Sequence, residues 1–164
     1  MKLAVISDIH DNLLNLQKCL EWCRGNGVKE IICLGDVTNA ETLDELAKNF
    51  IGAIHLIRGN MEIYEEDEVK KHANIDYLGR YGITQIGNTK IGVCHEPKFI
   101  KLVLGLDPML DYVFYGHTHK PWIDKQEGVA MVNPGTLGGV FQKATFAVWD
   151  SESGELKLML LEEL

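Results

Sequence analysis

The sequence predicts an α/β fold of two packed β-sheets within one domain spanning residues 1–164. Three observations lead there. Short apolar runs alternate with helical patterns in the first half, an order that builds a parallel sheet under covering helices. The second half is made of short apolar runs separated by turn residues. A length of 164 residues suits one domain with a sizeable core and no need of covalent staples.

Leu3 to Ile6 reads as a buried strand. Asn12 can cap a helix that carries Leu13, Leu16, Leu20 and Cys23 on one face, and Gly25-Asn26-Gly27 stops it. Ile31 to Leu34 is the next strand. A second helix follows with Leu43, Leu46, Ala47 and Phe50 inward, and Ala53 to Ile57 is the third strand. A charged helix is expected over about Ile63 to His72, its Glu65-Glu66-Asp67-Glu68 run forming a solvated face near a helix N-terminus. Beyond it, Ile83–Ile86 and Ile91–Cys94 flank Gly87-Asn88-Thr89, a hairpin signal. Tyr112 to Tyr115, Trp122 to Lys125, Val129 to Val132, Thr145 to Trp149 and Leu156 to Leu161 complete a more antiparallel half.

Hydrophobic residues make up 46% and charged residues 24% of the chain, an ordinary globular balance. A formal net charge of -8 argues against broad nucleic-acid binding, which needs excess Lys and Arg. No basic stripe with interleaved aromatics supports a nuclease either. A phosphorylated substrate stays open, because bound cations can reverse the field within a cleft. Cys19, Cys23, Cys33 and Cys94 sit in helical or apolar patterns, and only one close pair exists where a zinc knuckle needs two. They read as buried free thiols, which favours a reducing, cytoplasmic setting. The chain enters a strand at once with no charged leader, and no apolar stretch approaches the roughly 20 residues that span a bilayer.

The chemistry collects where strands end. Five apolar runs finish in Ser7-Asp8-Ile9-His10, Gly35-Asp36, Arg58-Gly59-Asn60, His95 and Gly116-His117-Thr118-His119. In open α/β sheets the ligand crevice lies beyond the carboxyl ends of the strands, so distant segments can converge there. Gly35, Gly59 and Gly116 precede the expected ligands and permit sharp turns or close approach of a metal or phosphate. Two carboxylates, one amide oxygen and four imidazoles suit manganese, iron, nickel or zinc, whereas a magnesium or calcium cage would be mostly oxygen. These side chains are too many for one tetrahedral ion, and with one carboxylate shared they serve two ions with four ligands each. His55, inside a strand, and His72, in the charged helix, read as a packed and a solvated histidine respectively.

The pattern Asp8-x-His10, Gly35-Asp36, Gly59-Asn60, His95 and Gly116-His117-x-His119 resembles the calcineurin-like metallophosphoesterases. With Asn133-Pro134-Gly135-Thr136 and the short chain, it is similar to the small prokaryotic phosphodiesterase group related to the retromer metallophosphoesterase-fold subunit. The resemblance implies a four-layer sandwich of two mixed sheets with outer helices. It implies that Asp8, His10, Asp36 and His119 hold one metal, and that Asp36, Asn60, His95 and His117 hold the other. The last four would carry the catalytic role, and Asp36 would bridge. Asn133 would contact phosphate or support a ligand. The implied activity is hydrolysis of a small phosphate ester, a diester by preference, by in-line attack of a hydroxide shared between two cations, manganese first among them.

Three positions depart from the family pattern. Met61 follows Asn60 where relatives carry His or Cys, and a thioether cannot protonate a leaving alkoxide. General acid catalysis supplies about 10²- to 10⁴-fold, so slow turnover is expected on poor leaving groups unless Glu62 or a bound water substitutes. Asp11 and Glu96 follow ligating histidines where relatives have Gly. They would either accept hydrogen bonds from imidazoles or face solvent and repel a dianionic monoester. An alternative function is a metal-binding protein-interaction scaffold on the same fold. Exposed strand edges and the C-terminal hairpin could support a homo-oligomer.

Overall fold

The computed structural model describes residues 1–164. Its elements run β1 (Lys2–Ile6), α1 (Leu13–Gly25), β2 (Glu30–Cys33), α2 (Ala40–Asn49), β3 (Ala53–Leu56), α3 (Glu66–Val69), β4 (Ile75–Tyr77), β5 (Tyr81–Ile86), β6 (Thr89–Cys94), α4 (Ile100–Leu106), β7 (Tyr112–Phe114), β8 (Trp122–Gln126), β9 (Val129–Asn133), β10 (Thr145–Asp150) and β11 (Leu156–Leu160). The first sheet is ordered β11-β10-β1-β2-β3-β4 and the second β5-β6-β7-β9-β8. Both are mixed. β1 to β4 are mutually parallel, with β10 and β11 joined antiparallel at the β1 edge. In the second sheet β6, β7 and β9 are parallel and β5 and β8 antiparallel.

Alternation along the strands builds four layers. In β1, Leu3 and Val5 face the second sheet, where they meet Ile91, Val93, Phe114 and Val132. Ala4 and Ile6 face the other way, onto Leu16, Cys19, Leu20 and Cys23 of α1 and Leu43 and Leu46 of α2. A strand buried on both faces must be apolar at every position, which is why β1 and β2 read as continuous apolar runs. The outer face of the second sheet is covered by α4, whose Val103 packs with Cys94, Val113 and Met131. Each fully buried Leu, Ile or Val of these layers contributes about 1.5–3 kcal/mol by removal from water.

The Asn12 cap forms as the sequence predicts, its side chain accepting from Asn15 N–H, and Asn39 caps α2 in the same way through Thr42 N–H. All four cysteines are free and buried, and burial pushes the Cys33 and Cys94 thiols up to about 12. The charged helix is corrected. Only Glu66–Val69 is helical, because buried Tyr64 and Val69 anchor the segment and the chain must then extend to pair Ile75–Tyr77 with β3. His72 is not solvated: its side chain is 9% exposed and meets Asp44 of α2 at 2.8 Å. His55 is a packed strand histidine, held between Glu30 at 3.0 Å and Asp76 at 3.1 Å. The helix α4 is an element that the sequence pattern does not predict.

Candidate metal centre

Register brings the strand ends together. Ile6 lies beside Cys33, and Cys33 beside Leu56, so the loops bearing Asp8, Asp36 and Asn60 leave the first sheet side by side. In the second sheet Val93, Phe114 and Val132 are neighbours, which aligns His95, the loop Gly116–His119 and Asn133. The two sheets are tied at this rim by His95, whose Nδ1–H donates to the Leu34 carbonyl at 2.7 Å.

The side chains then converge. Asp8 Oδ1 lies 3.2 Å from His119 Nε2, 3.7 Å from His10 Nε2 and 3.9 Å from His95 Nε2. Asp36 Oδ2 lies 3.3 Å from His95 Nε2 and 3.8 Å from His10 Nε2. His10 Nε2 and His119 Nε2 approach to 3.1 Å. Two clusters could each hold an ion, Asp8-His10-His119 and Asp8-Asp36-His95. Asp36 Oδ2 sits between His10 and His95 and nearer to His95 than Asp8 does. Asp8 is thus the carboxylate that both clusters share, and Asp36 is the second carboxylate, reaching His95 and His10. At the open side His117 Nδ1 and Asn60 Oδ1 are 2.8 Å apart, and the His117 ring centroid is 5.2 Å from that of His95.

Most of these residues adopt backbone angles that side chains avoid. Asp8, His10, Asp36, His117 and His119 have φ of 54°, 48°, 53°, 69° and 58°. Such left-handed residues cost of order 1–3 kcal/mol each and persist where the surroundings over-determine them. The surroundings do so here. Ser7 Oγ–H donates to Asp8 Oδ2 at 2.6 Å, and the His117 N–H donates to the same oxygen at 3.0 Å, which turns Oδ1 into the cleft. Met61 N–H fixes Asp36 Oδ1 at 2.9 Å. His119 Nδ1–H donates to the Val140 carbonyl at 2.9 Å. With their Nδ1 protons so committed, His95 and His119 present Nε2 lone pairs inward.

A donor set of this kind fits divalent cations on one physical observation. Asp8 Oδ1 and His95 Nε2 are buried with no hydrogen-bond partner. Orphaned buried polar atoms are costly, and here they point at one another's neighbourhood from 3.9 Å. Ligand bonds of about 2.0–2.2 Å place donor atoms roughly 3–4 Å apart, the spacing seen here. The charges agree. Asp8 and Asp36 flank the imidazoles: Asp8 beside His10 raises its pKa against burial, and although burial opposes it, Asp36 and Asp8 raise that of His95. Burial works against the Asp36 carboxylate, yet His95, the Met61 N–H and His10 hold its pKa below the usual carboxylate value.

Several neighbours behave otherwise than the sequence leads one to expect. Gly59 and Gly116 serve close approach of protein rather than of phosphate. A Cβ on Gly59 would collide with the Asp36 carboxylate and backbone, and one on Gly116 with Ser7 Oγ. Only Gly35 needs the turn, at φ 97°. Asp11 is half-buried and touches no imidazole. Its carboxylate accepts from Asn39 N–H at 3.1 Å and Thr42 Oγ–H at 2.7 Å, which pins the start of α2 to the loop after β1. Glu96 pairs with Lys98 at 2.6 Å instead of with a histidine. Of the two roles expected of Asn133, contact with phosphate finds no support. It is fully buried, its amide donates to Gly116 O and Thr118 Oγ and its carbonyl accepts from Gly135 N–H, so it braces the His117–His119 loop.

Glu62 matters more than its place in the sequence suggests. Its carboxylate accepts from Thr38 N–H at 2.9 Å, Gly59 N–H at 3.0 Å and Val37 N–H at 3.4 Å, stitching the Asp36 loop to the Asn60 loop. Burial pushes its pKa up, against the three N–H donors that pull it down. Two further residues were not legible beforehand. Thr136 Oγ–H donates to Asp8 O at 2.9 Å, and the exposed Phe141 ring lies over His119 at 6.2 Å between centroids. Met61 is 51% exposed at the rim.

The chain resembles known proteins over nearly its whole length. A probable metallophosphoesterase of Methanocaldococcus jannaschii is 32% identical over 99% of this chain and 83% of its own length. A phosphodiesterase of that organism is 26% identical over 99% of this chain and its full length. The solved structure of an archaeal phosphodiesterase superposes with a TM-score of 0.87 at 25% identity, covering 98% of this chain and 99% of that one. Zinc-complexed Vps29 of Entamoeba histolytica, at 20% identity and a TM-score of 0.71 over 96% of this chain and 90% of its own, shares the fold. No helix is long and apolar enough to cross a membrane. Residues 1–154 match the calcineurin-like phosphoesterase superfamily domain, and the chain belongs to that superfamily.

Proposed function

We propose that the protein is a dimetal phosphodiesterase of a reducing compartment, acting as one domain over its 164 residues. In this reading Asp8, His10, Asp36 and His119 hold one divalent cation, and Asp36, Asn60, His95 and His117 the other, with Asp36 shared. The observation that carries it is the pair of buried, unpartnered atoms Asp8 Oδ1 and His95 Nε2 within a converging donor set. Manganese is our first choice, since mixed imidazole and carboxylate donors suit it as well as iron, nickel or zinc. Two close cations supply Lewis-acid stabilisation of phosphate oxygens and a nucleophile at neutral pH.

The chain's own groups do the rest. Ser7 and the His117 amide hold Asp8 in one orientation, and Leu34 O and Val140 O fix which ring nitrogen His95 and His119 present. Asn60 and His117, both exposed, are the members of the set that solvent and substrate reach. Met61 offers no proton at the rim, so good leaving groups should be favoured. With Glu96 paired to Lys98, charge repulsion is a weaker ground for a diester preference, although Asp11, bonded only to neutral donors, keeps its charge. That preference is supported by relatives that are named phosphodiesterases.

The test is reconstitution of metal-free protein with Mn, Ni, Zn or Mg and assay on aryl mono- and diesters, with Asp36→Asn as control. Turnover should require the metal, favour the diester and fall at least 100-fold in the variant. No metal-dependent turnover on any ester would contradict the reading and favour a scaffold role.

A further inference from the structure

Beside Asn60 the cleft opens into a cavity of about 270 Å³ walled by Arg58, Arg80, Glu96, Lys98 and Phe99. Its volume lies just below the usual range of ligand sites, about 300–1,000 Å³, and suits a compact group better than a nucleoside. The walls are polar and cationic, in a protein whose formal charge is -8. Two carboxylates also line it, but both are engaged. Glu62 accepts three backbone N–H groups, and Glu96 pairs with Lys98 at 2.6 Å.

Neither arginine has a carboxylate partner. The Arg58 guanidinium donates to the Tyr64 carbonyl at 3.4 Å and lies against the Tyr77 hydroxyl, whereas the Arg80 side chain makes no ion pair or hydrogen bond. A guanidinium presents a planar fork of donors matched to a phosphate, and a second arginine beside it adds charge without rearrangement. Lys98 is held in place at 5.0 Å from the Phe99 ring centroid, and that ring stacks on Tyr81 at 5.5 Å. The cavity is therefore a formed pocket with uncommitted cations, and its wall includes Asn60 of the proposed metal centre.

We propose that this cavity binds a second phosphate group, carried on the arm of the ester that is not the leaving group. The inference rests on the phosphodiesterase reading above and names its substrate class: a phosphodiester with an additional phosphate close to the scissile one. Such a substrate meets the cations at one end and the converging donor set at the other.

The experiment compares two substrates with the same leaving group on Mn-reconstituted protein, 4-nitrophenyl ethyl phosphate and 4-nitrophenyl 2-(phosphonooxy)ethyl phosphate. The second should show a KM at least about tenfold lower, and Arg80→Ala should erase that advantage while moving the ethyl diester less than about twofold. Because Arg80 is exposed and without partners, the variant leaves the fold intact, and Arg58→Lys offers a second, weaker disruption of the fork. Equal KM values in the wild type, or an Arg80→Ala effect equal on both esters, overturns the proposal while hydrolysis of the ethyl diester keeps the phosphodiesterase reading. In parallel, ethyl phosphate is titrated into metal-free protein. Binding that weakens at least tenfold in Arg80→Ala, with neither diester hydrolysed under any cation, upholds the anion site and overturns the esterase reading. Absence of both binding and turnover overturns the two together.

Discussion

At the scale of single residues, the centre depends on side chains that are held rather than merely present. Glu62 is the clearest case, since it joins the loops of Asp36 and Asn60 through three backbone N–H groups. Glu62→Gln keeps the shape but replaces an acceptor oxygen with a donor facing those amides. Groups that orient ligands typically contribute 10- to 100-fold in metal affinity, so the variant should bind Mn about that much more weakly while its far-ultraviolet circular dichroism stays native. Unchanged affinity would reduce Glu62 to a bystander. A second prediction concerns protons. Asp8 beside His10 raises that imidazole's pKa, and Asp36 and Asp8 raise that of His95 despite its burial. Raised imidazoles stabilise the metal-free fold at low pH, a contribution lost as pH rises through their folded values, whereas the depressed Asp36 contributes above the ordinary carboxylate range and fails as pH falls through its own. Metal must displace the imidazole protons, so Mn affinity should decline as pH falls, with the decline beginning above the usual value of about 6.5. Titrations at a series of pH values check this, and a flat affinity between about pH 8 and 6 would contradict it.

At the scale of elements, the strand ends were readable and the supports were not. Asp8, Asp36, Asn60, His95 and the 117–119 loop each follow an apolar run; parallel register aligns them within each sheet, and packing of the sheets brings the two groups together. What no local pattern reveals is the partner of a side chain distant in sequence. The Asp11 carboxylate looked free for a histidine or for water, yet it fastens α2 through Asn39 and Thr42. Asp11→Ala should therefore lower the stability of metal-free protein by about 1.5–3 kcal/mol, the usual worth of hydrogen bonds to a charged group. Urea unfolding measures this. Unchanged stability with faster monoester hydrolysis would restore the repulsion idea. The expected helix over residues 63–72 fails for a related reason: a charged run is compatible with a helix, but pairing of β4 with β3 and burial of Tyr64 take precedence. The helix α4 has a single buried residue, Val103, too little to set a helical period in the sequence.

At the scale of the molecule, two sheets pack face to face, and the centre lies at the rim where their strand ends meet. β10 and β11 extend the first sheet from the far end of the chain, a pairing that sequence periodicity does not encode because it is set by which edge the core leaves open. The layers Leu3-Val5 against Val93-Phe114 fix the distance between the sheets, and with it the approach of His95 to Asp36. The central claim is that this rim holds two cations. Anomalous diffraction from crystals soaked in Mn tests it most directly. Two peaks about 3.5–4 Å apart are predicted, one bounded by Asp8, His10 and His119, the other by Asn60, His95 and His117, with Asp36 between them. No peak, or a single peak that leaves His95 and His117 unengaged, would contradict it.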